Sequence, residues 1–242
     1  MSNRLIIKSK IKKFKKIIKV SGDKSLSIRW VLLSSLAEGI SKAKNLLMSE
    51  DVIAAISVIR KLGIKVKVKN NNCFIYGKGI NGYEYKKNLT LNAKNSGTLG
   101  RLILGLLINS KYPIKLIGDK SLSKRDFLRV IKPLKKFGAK FDSNSGKLPI
   151  KIQGTNYTNS IKYFESKGSA QCKSAVMLAA LNTSGQTIIK AKKSRDHSEL
   201  LFKYLKLPIK IIKKNGMTKT NALEISLITI THRIVLIALE LA

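Results

Sequence analysis

The stretch Val20-Ser-Gly-Asp-Lys-Ser-Leu-Ser-Ile-Arg29, VSGDKSLSIR, leads directly into an apolar run, Trp30-Val-Leu-Leu-Ser-Ser-Leu36. Small polar residues ahead of such a run mark a helix start, because their side chains accept from the first unpaired backbone N–H groups. A helix start also carries the positive end of the macrodipole. Here it is joined by Lys24 and Arg29. The spacing predicts a helix whose first turn faces an anion.

The arrangement recurs. NSGTLGRLILGLLINS from Asn95 and GSAQCKSAVMLAALNTSG from Gly168 again open with small polar residues, carry a cation about one turn in (Arg101, Lys173) and then run apolar. Ser25, Ser96 and Ser169 stand 71 and 73 residues apart. A second helix is predicted after each, from Ser49, Ser123 and Ser194, each a serine followed by an early acidic residue. Gly63 and Gly138 suit the C′ position of the first two, and the third runs out near Pro208. Short β-rich runs such as IKVKV, PIKLIG, LPIKIQG and QTIIKA lie between. The chain therefore reads as three β-α-β-α-β-β units between about Val20 and Asn215, an α/β architecture. The first helix of each unit is apolar nearly all round and should be buried with its two counterparts. The second helices are amphipathic and should lie outside.

Composition bounds the rest. The 242 residues are 44 % apolar, a globular value. Cys73 and Cys172 are far apart and form no CxxC, which fits a reducing compartment and argues against a disulfide framework or a zinc site. The first twenty residues lack the apolar core and small-residue cleavage site of a secretory signal. No uncharged apolar run reaches membrane-spanning length; Glu224, His232, Arg233 and Glu240 interrupt the longest candidate. The net charge of +35 raises nucleic-acid binding as one reading. However, the lysines are spread through every segment and the few aromatic residues form no basic-aromatic cluster, so a solvated lysine-rich surface is favoured. A positive field of this kind still attracts small anions.

If the three first helices pack in parallel, their starts converge on one face. That face would hold Lys24, Ser25 and Arg29, then Asn95, Ser96, Gly97, Thr98 and Arg101, then Ser169, Ala170, Gln171 and Lys173. The second helices would add Lys124, Arg125, Arg195 and His197 at the rim. Arginine grips carboxylate or phosphate with a fork, lysine supplies a point charge, and Gly97 lets a ligand approach the backbone. Taken singly, Ser25, Ser96 and Ser169 read equally well as N-caps.

The stretches GDKSLSIR, NLLMSEDV, NSGTLGR, GDKSLSKRDF, GSAQCKSA and SRDHSE, in this order over about two hundred residues, resemble the 5-enolpyruvylshikimate-3-phosphate synthase family, in its class II form. The resemblance implies an enolpyruvyl transferase fold, with three units forming one inside-out α/β barrel domain. It implies transfer of the enolpyruvyl group of phosphoenolpyruvate to the 5-hydroxyl of shikimate 3-phosphate, with release of phosphate and no metal or organic cofactor. By the same resemblance Lys24, Ser25, Arg29, Ser169, Ala170, Gln171 and Arg195 bind shikimate 3-phosphate. Lys24, Gly97, Arg125 and Gln171 bind phosphoenolpyruvate. A cytoplasmic protein is expected, with no membrane or nucleic-acid partner.

Family members are two-domain proteins of six such units, and this chain has three. The resemblance divides the chain into residues 1–19, a strand segment of a second domain; 20–222, the three-unit domain; and 223–242, a divergent start of the second domain. The family's catalytic groups lie in the half that is mostly missing, so the catalytic residues are unassigned and a complementing C-terminal half becomes a candidate partner. Two alternatives remain at this stage. A UDP-N-acetylglucosamine enolpyruvyltransferase would show a Lys-Asn opening and a reactive cysteine loop, whereas this chain has Lys24-Ser25 and no cysteine between Lys111 and Arg125. A basic nucleic-acid-binding or scaffold protein derived from the enzyme would rest on the +35 charge alone.

Overall fold

In a computed structural model of the chain, the described residues are 15, 17, 20–69, 72–214, 222–229 and 239–240. The strand expected within residues 1–19 falls almost wholly outside them. The first unit holds α1 (Lys24–Leu36), β1 (Glu38–Lys44), α2 (Glu50–Lys61), β2 (Lys65–Lys69) and β3 (Asn72–Lys78). The second holds β4 (Leu89–Asn92), α3 (Gly97–Leu106), β5 (Ile114–Ile117), α4 (Lys120–Ser123), α5 (Leu128–Lys136), β6 (Lys140–Ser143) and β7 (Ile150–Gln153). The third holds β8 (Lys162–Glu165), α6 (Ala170–Leu181), β9 (Gly185–Lys192), α7 (His197–Tyr204), β10 (Ile209–Lys214) and β11 (Ala222–Thr229), and β12 (Leu239–Glu240) follows.

Among the described residues, three four-stranded sheets share one plan. Their orders are β12-β1-β3-β2, β4-β5-β7-β6 and β8-β9-β11-β10. The first pair in each is parallel and the other two pairs are antiparallel. In the second and third units the parallel edge strand, β4 or β8, directly precedes the buried helix. In the first unit that place is taken by β12, from the far end of the chain. The boundary expected at 222/223 falls inside β11, whose full length is paired to β9. Those residues are thus hydrogen-bonded into the third sheet rather than leading away from it.

The apolar helices are buried as their composition predicts. Ser27 through Leu36 of α1 and Cys172 through Leu181 of α6 are buried without a break, and α3 exposes only Thr98 and Arg101 in part. Each fully buried Leu or Ile adds roughly 1.5–3 kcal/mol of hydrophobic stabilisation. By contrast, α2 and α5 bury one face each. Gly63 and Gly138 follow their last turns at φ of +87° and +106°, the left-handed conformation a C′ glycine supplies.

The helix starts differ from the sequence reading in register. The cap of α1 is Asp23, whose carboxylate accepts from Leu26 N at 2.7 Å; Ser25 is already inside the helix. Ser96 and Ser169 do cap α3 and α6. The true repeat is therefore Asp23, Ser96 and Ser169, 73 residues apart in both steps. The second helix of the middle unit begins at Leu128, not Ser123, because Gly118-Asp-Lys-Ser-Leu-Ser123 folds on its own as α4. Asp119 accepts from Leu122 N at 2.7 Å, the same contact that Asp23 makes in the identical hexapeptide. After Ser27 the chain continues Ile-Arg-Trp-Val and the helix propagates. After Ser123 it continues Lys-Arg-Asp-Phe, and Asp126 accepts from Leu128 N at 2.7 Å to start a new helix. Likewise α7 begins at His197 rather than at Ser194.

Candidate active site

The starts of α1, α3 and α6 open onto adjoining cavities. A cavity of about 560 Å³ is lined by Lys24 of α1, by Asn95, Gly97 and Thr98 at the start of α3, by Arg125 and by Gln171 of α6. Ser49, Glu50 and Asp51 at the start of α2 close its other side. A second, of about 310 Å³, is lined by Ser25 and Arg29, by Ser169, Ala170 and Gln171, and by Arg195 and His197 before and at the start of α7. A third, of about 360 Å³, lies beside Arg101, Asp126, Arg129 and Cys172. Gln171 lines all three.

Gln171 is held from two sides. Its Nε2 donates to Thr98 Oγ1 at 3.0 Å, and its Oε1 accepts from Arg101 Nη1 at 2.9 Å. Arg101 also donates to the carbonyls of Gly97 and Asp126, each at 3.2 Å, and stacks over Phe127 at 4.9 Å. Burial lowers its pKa, and the cations Arg125 and Arg129 lower it further. A guanidinium so well provided with acceptors fixes a lining rather than reaching into solvent. Arg125 is exposed and held lightly, its Nη2 donating to Asn95 Oδ1 at 3.2 Å, while Asn95 donates to Asp119 at 2.8 Å. A Cβ added at Gly97 would stand 2.8 Å from a terminal nitrogen of both Arg101 and Arg125, so glycine is what admits the two guanidiniums to one helix start.

Arg29 is 5 % exposed and uses three of its five N–H donors within the protein. Nε donates to Ser198 Oγ at 2.7 Å, Nη1 to the Ser25 carbonyl at 3.0 Å and Nη2 to Ser174 Oγ at 3.2 Å. Burial pulls its pKa down to about 10, against the opposing charges of Glu199 and Asp23. Lys24 is half-exposed and paired with Asp51 Oδ2 at 2.9 Å. The first cavity thus contains a carboxylate that the sequence reading treated only as an early acidic helix residue.

The structure brings together Lys24, Ser25, Arg29, Gly97, Arg125, Ser169, Ala170, Gln171 and Arg195 around two neighbouring cavities. Four members of the wider predicted face do not line them. Ser96 is buried as a cap, Arg101 lines only the third cavity, Lys124 lies outside the linings, and Lys173 is buried in an ion pair with Glu199. Sequence reasoning missed Ser174, Ser198 and Glu199. The available signal was their polarity on helices otherwise packed on apolar residues.

Comparison with known proteins identifies the family. Residues 8–235 match the family described as EPSP synthase (3-phosphoshikimate 1-carboxyvinyltransferase). The chain is 44 % identical over 214 residues to the 3-phosphoshikimate 1-carboxyvinyltransferase of Ruthia magnifica subsp. Calyptogena magnifica, covering 86 % of this chain and 49 % of the relative. It is 40 % identical over 197 residues to the protein of that name from Endomicrobium trichonymphae, covering 81 % and 46 %. The solved EPSP synthase of Acinetobacter baumannii superposes with a TM-score of 0.82 at 31 % identity, over 93 % of this chain and 49 % of that one. The chain spans about half the length of the curated relatives it matches. A match that runs through nearly the whole chain, on a fold that superposes at 31 % identity, places it in the EPSP synthase family.

Proposed function

We propose that this chain forms the substrate-gripping half of a 3-phosphoshikimate 1-carboxyvinyltransferase, which moves the enolpyruvyl group of phosphoenolpyruvate to the 5-hydroxyl of shikimate 3-phosphate and releases phosphate. The observation that carries the reading is the pair of cavities joined at Gln171, each lined by helix starts and by two cationic side chains. Two polyanionic substrates suit two adjoining cavities that each offer a helix start and two cations, with Glu50 and Asp51 also lining the first.

In this reading the second cavity takes shikimate 3-phosphate. Arg29 and Arg195 offer guanidinium charge, Ser25 and Ser169 offer hydroxyls, and the start of α6 at Ala170 offers backbone N–H groups. The first cavity takes phosphoenolpyruvate between Lys24 and Arg125, with Gly97 clearing the approach and Gln171 touching both ligands. Lys24 would exchange part of its bond to Asp51 for the ligand. Cations and helix dipoles aimed at the departing phosphate stabilise charge as it develops. Proton transfer is assigned to none of the described residues, and a complementing half would supply it and close the site. We place the three-unit body from Val20 through β11, residues 1–19 with a second domain, and the chain in the cytoplasm, which its two unpaired buried cysteines support.

The test is calorimetric titration of shikimate 3-phosphate into the purified chain, with Arg195→Ala alongside. Saturable binding that weakens about tenfold in the variant is expected, the loss of one charge-assisted contact. No uptake by a folded wild-type chain would overturn the reading of this half as a binding unit.

A further inference from the structure

Lys173 and Glu199 form an ion pair that lies neither at the surface nor in the cavity linings. Lys173 on α6 is 1 % exposed and Glu199 on α7 is 2 % exposed. Sealing two charges from water is costly, and an apolar pair of similar volume commonly joins two helices at least as well. The Lys173 ammonium contacts Glu199 Oε1, and Glu199 has no other hydrogen-bond partner among the described residues. As glue between α6 and α7 the pair is a poor device.

Its neighbours show what else it does. Lys173 Nζ also donates to the Arg195 carbonyl at 3.4 Å, in the segment whose side chain lines the second cavity. The residue after Lys173 is Ser174, and the residue before Glu199 is Ser198. Both hydroxyls accept from Arg29, and they lie 2.6 Å from each other. Each helix thus presents one charged and one hydroxyl residue side by side. The charged pair reaches the Arg195 main chain, and the hydroxyl pair reaches the Arg29 guanidinium. Glu199, the partner of Lys173, is also the larger of the two opposing charges that act on Arg29, ahead of Asp23, and Arg29 itself lines the second cavity.

We infer that Lys173 and Glu199 are positioning residues for the anion in the second cavity: the pair fixes the Arg195 backbone and, through the adjacent serines, holds Arg29 before a ligand arrives. The inference rests on the proposed reading of that cavity as the shikimate 3-phosphate site.

The double variant K173M/E199L replaces the pair with apolar side chains of similar size. Shikimate 3-phosphate is titrated into it, into wild type and into R195A, with thermal melts and amide hydrogen exchange across residues 194–198. The expected result is a folded variant with about tenfold weaker binding and faster exchange in that segment, as for any misplaced binding group. Wild-type affinity and exchange in the folded variant would overturn the positioning role and leave a structural pair. If wild type takes up no shikimate 3-phosphate, the functional reading fails and the anion-positioning role falls with it, whereas uptake by wild type and by the folded variant alike overturns the positioning role alone. If the double variant does not fold, E199D keeps both charges, shortens the reach by one methylene and is read by the same two measurements.

Discussion

Gly105 of α3 lies directly against Ala175 of α6. A Cβ added at Gly105 would overlap the Ala175 carbonyl oxygen and come within 3.0 Å of its carbonyl carbon. The obstacle is backbone, which does not swing aside as a side-chain end does. This close crossing sets the starts of the two helices near enough for Thr98 and Gln171 to share a hydrogen bond.

Gly105→Ala should therefore push α3 from α6 and destabilise the fold by about 2–4 kcal/mol, in the range of overpacked core substitutions. Urea denaturation measures it. An unchanged midpoint would mean that the helices slide apart freely and that the crossing does not set the site.

Gln171→Leu keeps the volume and removes both hydrogen bonds. Arg101 loses one acceptor and Thr98 loses its donor. A loss of about 1–2 kcal/mol in stability is expected. Titrations with shikimate 3-phosphate and with phosphoenolpyruvate should both weaken, because the residue lines both cavities. Weakening of one ligand only would show that the carboxamide serves a single cavity.

Gly97→Ala meets only the ends of two arginine side chains, at 2.8 Å each. The exposed end of Arg125 can move, but Arg101 must give up part of its bonding to Gly97, Gln171 and Asp126, so a loss of about 1 kcal/mol in stability is expected. Arg125 must shift, and phosphoenolpyruvate affinity should fall several-fold while shikimate 3-phosphate, gripped by Arg29 and Arg195, is affected less. Equal losses for both ligands would contradict the division of the cavities.

Burial pushes the Cys73 thiol up to about 11 from 9.0, with Arg60 partly opposing. Above pH 9 an unfolded chain releases this proton while the folded chain keeps it, so ionisation favours unfolding. The thiol's contribution is full below pH 9, and up to about 2 kcal/mol of it is lost as pH rises toward 11. Denaturation of wild type and Cys73→Ala on either side of pH 9 isolates the effect, and parallel slopes in the two proteins would rule it out.

Much of this molecule was legible because small polar residues before apolar runs have few uses. Ser96 and Ser169 cap helices as read, and the three apolar helices form the core. The two-residue slip at α1 arose because Asp23 and Ser25 are both good caps, and only backbone conformation decides between them. Ser123 was misplaced because its hexapeptide closes a turn of its own before α5 begins. Lys173 was read as a cavity cation because its partner, Glu199, comes from a helix 26 residues further along, and periodicity carries no trace of such a pairing. The pairing of β12 with β1 is similarly invisible, since it joins opposite ends of the described chain.

Gln171 stands at the junction of three cavities with its oxygen and nitrogen both engaged. A ligand that draws this carboxamide toward one cavity reshapes the walls of the other two. The free energy of that adjustment is common property of all occupants: whatever the first anion does to the affinity of the second, the second does to the first in equal measure. A single side chain with two hydrogen bonds thus makes the separate cavities answer to one another.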